Sequence, residues 1–184
     1  MASTRLRRLG AALAAAGVAL GCLAGPSSAS PPKASNARLS EVAEAAIRQT
    51  CEDLSEQYAY YLDTADYEHM PTVFAPTGVW EVLGHRMQGP AEIKEYWRSR
   101  TATWAPNDGW LHQVSNQRIQ VVDRNHAKGV AFFNVYKFNK QAGANAALTP
   151  LVISRSDDEY VRTPQGWRIQ QRIISRIADV KTGG

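Results

Sequence analysis

The stretch "YLDTADYEHMPTVFAPTGVWEVLGHRMQGPAEIKEYWRSR", residues 61–100, decides the fold. It opens on the end of a long helix. Upstream, Leu39, Val42, Ala46, Ile47, Leu54, Tyr58, Tyr61 and Leu62 recur at spacings of three and four. That period predicts one amphipathic helix ending near Asp63, with Ser40 in its N-cap region. "DYEHMPTVF" predicts a short second helix disturbed by Pro71. "TGVWEVLG" and "HRMQG" predict a strand, a tight turn and a partner strand. "GPAEIKEYWRSR" predicts a third helix with Pro90 in its first turn. Asp63 and Asp66 both fall at the junction of helix and turn. Such a place is ordinary for Asp, whose carboxylate accepts turn N–H groups.

Downstream the period changes. "HQVSNQRIQVVD", "HAKGVAFFNVYKFN", "LTPLVISRSDDEYVRT" and "GWRIQQRIISRIAD" read as long strands, with turn chemistry in "DRNH" and "TPQG" between them. "KQAGANAALTP" reads as a loop. Helices first and strands afterwards is an α+β order. The expected architecture is three N-terminal helices on a strongly curved, mostly antiparallel sheet that encloses a cone-shaped pocket. On the last strand Ile169, Ile173 and Ile177 share one parity, and Arg168, Arg172 and Arg176 share the other. Strict alternation would turn the arginines to a solvated or dimer-facing surface, and a bulge would re-aim them. Asp157 and Asp158 read as strand interruptions rather than inward acids.

The first 29 residues stand apart from the fold. "MASTRLRR" carries three arginines and no acid, and "LGAALAAAGVALGCLAG" carries no charge. Gly25-Pro26 then ends the apolar run, and Ser27 and Ala29 supply small residues. That layout predicts a signal peptide cut after Ala29, and no retained membrane span. "ALGC", residues 19–22, also resembles a lipobox, which would place a lipid anchor on Cys22. The expected destination is therefore extracellular, or the membrane surface as a lipoprotein. Residues 30–38 read as a disordered lead-in, 39–178 as the domain and 179–184 as a tail. The formal charge is +4, and loss of Arg5, Arg7 and Arg8 would leave +1. The basic balance therefore offers no argument for a nucleic-acid partner. Without Cys22, Cys51 has no disulfide partner in the chain, so the core must carry stability.

Residues 61–100, with "LHQVSNQRIQVVD" and "GWRIQQRII", resemble the SnoaL-like branch of the NTF2-like, or cystatin-like α+β, superfamily from about Leu39 to Ile177. The shared features are an Asp after the first helix, "FAPTGVWEV" on the first strand and "GPAEI" opening a helix. "HQVSN" at a strand start and a Gly-Trp hairpin complete them. This fold hosts enzymes of several kinds and non-enzymes. The resemblance to dehydratase- and dehydrochlorinase-type members implies an Asp–His pair at Asp63 and His112. It also implies a Tyr at Tyr58 and an Arg on the last strand, best matched by Arg172 and next by Arg176. In that chemistry His112 is the base and Asp63 orients it, while Tyr58 and Arg172 donate to developing charge. No cofactor is implied. His69, His85, His112 and His126 show no metal-ligand spacing, so no metal is expected either.

Each residue also has a plainer reading. Asp63 can be a turn acceptor, His112 a strand-end histidine, Tyr58 core packing and Arg172 surface. Asp66 reads as a cap, and His85 and His126 as exposed turn residues. Asn116 either orients His112 or closes a sheet-edge hydrogen bond. Trp80, Trp97, Trp104, Trp110, Phe132 and Tyr136 are either cavity walls or ordinary core. If they line a cavity, the ligand is small, apolar and ring-sized. The expected function is an exported dehydratase-like lyase or isomerase. The alternatives are a binding module without catalysis, and an epoxide hydrolase or polyketide cyclase, which calls for a second inward acid. The resemblance further implies a homodimer through the outer sheet face, with "FFNVYKF" contributing.

Overall fold

The computed structural model describes residues 38–180. The expected leader, Cys22, residues 30–37 of the lead-in and residues 181–184 of the tail lie outside the described residues. Helix α1 spans Glu41–Asp63. Ser40 caps it, its Oγ accepting the Ala43 N–H at 3.2 Å. Glu41 and Glu44 sit in the first turn, where the helix dipole favours anions. Ile47, Cys51, Leu54, Tyr58 and Leu62 form its buried stripe, spaced to face one side.

The second helix expected over "DYEHMPTVF" shrinks to one 3-10 turn, Met70–Val73. Asp66 takes the His69 N–H at 3.0 Å, and Pro71 has no N–H to donate, so no α-helical ladder can extend. Phe74, placed in that helix from sequence, instead begins strand β1, Phe74–Val82. Strand β2 spans His85–Gln88 and helix α2 Gly89–Thr101. Four long strands follow: β3 Asp108–Val121, β4 His126–Asn139, β5 Thr149–Thr163 and β6 Gly166–Asp179. The loop after β4 holds a 3-10 turn, Lys140–Asn145. Among the described residues two α-helices, not three, therefore carry the helical layer.

The strands form one sheet in the order β2-β1-β6-β5-β4-β3. Only the β1–β6 pairing is parallel. Helix α1 packs chiefly on β3, and α2 on β1. Between helices and sheet lies a core that includes Tyr58, Trp80, Phe133, Tyr160 and Ile169. Among the described residues no helix is long and apolar enough to cross a membrane.

Two of the sheet's register shifts change which of the expected site residues face that core. In β3 the register with β4 shifts between Ser115 and Arg118, where Asn116 adopts φ 50°. Trp110 and His112 line the interior before the shift, and Ile119 and Val121 pack on the core after it. In β6, Ile169 pairs with Tyr160 but Gln171 pairs with Glu159, so the strand holds an extra residue there. Trp167 and Ile169 are buried before this bulge, and Arg172 is buried after it. A bulge inserts one residue and so inverts the parity beyond it.

Candidate functional site

A cavity of about 460 Å³ opens between α1, α2 and the inner sheet face. Tyr58, Trp80, Trp97, Trp104, Trp110 and His112 all line it. The indoles form a chain, with ring centres 6.2 Å apart for Trp80–Trp97, 5.2 Å for Trp97–Trp104 and 4.5 Å for Trp104–Trp110. Their T-shaped and tilted contacts match the preferred geometry of aromatic pairs. The walls expected at Trp80, Trp97, Trp104 and Trp110 therefore border the cavity.

Asp63 is the last residue of α1, and no basic residue lies in that final turn. A carboxylate there opposes the helix dipole. Its compensation comes from β3. The His112 backbone N–H donates to Asp63 Oδ2 at 2.8 Å, and His112 Nδ1 lies 2.5 Å from Oδ1. The side chains are 14% and 17% exposed for His112 and Asp63, so the contact is largely sheltered from water. Asp63 borders a shallow outer depression beside Glu56 and Tyr60, which His112 also lines. The imidazole thus spans the cavity wall, with the carboxylate behind it. A carboxylate accepts, so Nδ1 carries the proton and Nε2 of the neutral ring keeps its lone pair.

Asp66, the other carboxylate of the junction, holds the His69 N–H and lies 2.7 Å from His69 Nδ1. Those hydrogen bonds, the backbone one first, keep its carboxyl below the usual range. It stabilises the turn and lies away from the cavity lining. His126 makes the same kind of exposed contact with Asp123.

Tyr58 stands at the centre of the interior, 3% exposed. It meets Trp80 and Phe133 edge-on, each at 5.8 Å between ring centres. Burial raises its phenol well above the ordinary range, against the opposing pull of the Arg172 charge. Tyr58 is therefore a neutral donor at physiological pH.

Arg172 lies in neither of the places that sequence suggested. It is fully buried, yet it does not line the cavity. Its Nε and Nη2 donate to Asp158 Oδ1 and Oδ2 at 2.8 and 2.7 Å, and Nη2 also reaches Ser55 Oγ at 2.7 Å. Asp158 accepts further bonds from Ser156 and Tyr160. The guanidinium carbon rests 4.5 Å from the Tyr58 ring centre, a cation–π contact. Burial alone would lower the guanidinium pKa, but the Asp158 charge and hydrogen bonds raise it overall. Two readings are corrected here. The arginine alternation does not leave Arg172 on a solvated face, because the β6 bulge turns it inward. Asp158 is not a strand interruption, because it is an inward acid paired across the sheet with Arg172. That acid is saturated by its partners and stands outside the cavity lining.

Three more expectations are revised. On β4, Phe133 and Val135 line the cavity, so Phe132 and Tyr136 have the opposite parity and face outward. Phe132 borders a depression on the outer side with Asn116 and Arg118. Adjacent phenylalanines leave parity ambiguous, and one position of error inverts every side chain. Asn116 is exposed and builds the β3 bulge, since Asn tolerates a left-handed backbone better than most residues. Sequence reasoning missed Tyr96, Arg100 and Ser154, which also line the cavity. The i,i+4 spacing of Tyr96 and Arg100 places them on one helical face and was available as a signal.

The sheet order, and the way α1 and α2 cover one face of it, place this chain in the NTF2-like, cystatin-like class of α+β pocket proteins. Within that class it belongs to the SnoaL-like domain family, whose profile matches residues 43–173. A search of the curated proteins finds no match. Among solved structures it is similar to LinA, with 17% identity, a TM-score of 0.65 and coverage of 79% of this chain and 96% of the other. A scytalone dehydratase-like protein of Novosphingobium aromaticivorans shares 14% identity at a TM-score of 0.63, covering 78% and 92%. A protein of unknown function with a cystatin-like fold from Nostoc punctiforme shares 19% at 0.60, covering 76% and 94%. At such identities the likeness establishes the fold alone.

Proposed function

We propose that this chain is an exported, cofactor-independent lyase or isomerase of the dehydratase kind, which removes a carbon-bound proton from a small ring-sized molecule. The observation that carries the reading is the Asp63–His112 contact in the wall of an aromatic cavity. With its proton on Nδ1, the ring offers Nε2 as base. Asp63 fixes that tautomer and stabilises the imidazolium formed when the proton arrives. Tyr58 donates a hydrogen bond to negative charge that develops on the substrate or its departing group. Arg172 acts on that step through Tyr58, holding the ring from behind. The resemblance to dehydratase- and dehydrochlorinase-type proteins supports an elimination, and the signal-like sequence of residues 1–29 supports export.

Proton abstraction can be followed without knowing the natural substrate. Cyclic ketones and β-hydroxy ring ketones incubated with the protein in deuterated water should exchange their α-protons, read by NMR. His112→Gln should reduce the exchange to the buffer rate. Exchange that survives in His112→Gln, or no exchange across such a panel, would count against a His112 base.

A further inference from the structure

We propose that the cavity's ligand carries a carboxylate on its planar ring, and that Arg100 receives that group at the cavity mouth. The inference rests on reading this cavity as the ligand site.

Depth and rim differ in chemistry. Tyr58, Trp80, Trp97 and Phe133, all buried, line the depth and present rings rather than charge. Charge enters only toward the exposed ends of the lining, through Arg100, Arg176 and Asp179. Arg176 is already held by Asp179 at 2.9 Å. Arg100 has no acid partner among the described residues. It also borders a second, shallower depression with Leu83, His85, Tyr96 and Ser99, so it stands where the two hollows adjoin. A cation in the last turn of α2 suits the helix dipole, but Arg98 in the same turn serves that need as well. The dipole explains a basic residue here and leaves its direction unexplained. Tyr96, one turn earlier, shares the face and lines the same cavity. An exposed guanidinium without an acid partner, beside an aromatic chamber, suits an aromatic acid: the ring enters among the indoles and the carboxylate meets the guanidinium fork. The carboxylate is then an anchor at the mouth, separate from the carbon presented to His112.

The probes are 2-naphthoate and its neutral counterpart 2-naphthamide, titrated at low salt. The readout is tryptophan fluorescence, since Trp80, Trp97, Trp104 and Trp110 line the cavity. Naphthoate should bind about fivefold more tightly than the amide, the size expected of a partly exposed ion pair. The preference should disappear in Arg100→Gln, persist in Arg98→Gln, and shrink in molar salt. Equal affinities, a preference that survives Arg100→Gln, or no quenching by either probe would overturn the proposal. The two readings fail separately. Proton exchange without a carboxylate preference defeats the ligand class alone. A carboxylate preference without exchange leaves Arg100 its role and makes the domain a carrier.

Discussion

Asp63 stands where a helix favours a cation. The C-terminal end of α1 carries partial negative charge, and a carboxylate there costs about 0.3–1 kcal/mol. Two hydrogen bonds from His112 offset that cost. Asp63→Asn should therefore change the melting temperature little, by about 4 °C or less, because relieved repulsion balances weakened bonds. Proton exchange should fall by about 10²–10⁴, since the amide neither enforces the tautomer nor stabilises an imidazolium. A large loss of stability with exchange intact would make Asp63 a structural acceptor only. Arg172 should behave in the opposite way. Removing one member of a buried pair strands the other, so Arg172→Met should lose about 3–5 kcal/mol in a denaturant titration. Adding Asp158→Leu should recover more than half of that, because the stranded charge is gone. If the double variant is no better than the single one, the hydroxyls of Ser55, Ser156 and Tyr160 depend on the pair more than the charges depend on each other.

At the scale of elements, periodicity made α1, α2, the β1–β2 hairpin and the four long strands visible in the sequence, because each signal is local. The Asp63–His112 pairing was visible only through family resemblance, since nothing local joins residues 49 positions apart. Register was not visible at all. The bulge near Gln170 decides whether Arg172 faces water or core, and the one at Asn116 re-aims the end of β3; a bulge depends on the partner strand as much as on its own residues. The Phe132–Phe133 pair and Asp158 were misread for the same reason. The β1–β2 hairpin raises a different question. Its two-residue turn places Leu83 at φ 53° and Gly84 at φ 76°, both left-handed. Asn-Gly is the favoured pair for such a turn, and a leucine there is strained. Leu83 is 49% exposed and lines the cavity mouth. The strain is explained if the side chain serves the ligand. Leu83→Asn should then raise stability by about 1 kcal/mol while weakening naphthoate binding. Tighter binding in the variant would show that the leucine obstructs the mouth.

For the whole molecule, the uneven layering matters most. Both helices cover one face of the sheet, and the other face is left to solvent or to a partner. That outer face is not uniformly polar. Leu111 pairs across the strands with Tyr136, Asn134 pairs with Ile153, and Phe132 stands on the same side as Tyr136. Leu111 is 40% exposed. The exposed Arg155–Asp157 ion pair lies on this face as well, which suits a surface that must also tolerate water. A mixed apolar and charged patch on the outer sheet face favours a two-fold pairing of identical faces, since each side then supplies what the other needs. The chain from Arg38 onward should therefore run at twice its monomer mass in light scattering. Phe132→Glu with Tyr136→Glu should halve that mass. Both side chains point away from the cavity, so the double variant should still bind naphthoate. A wild-type protein that is monomeric at every concentration would remove the dimer. A monomeric variant that also loses binding would mean that the second copy helps to hold the cavity in shape.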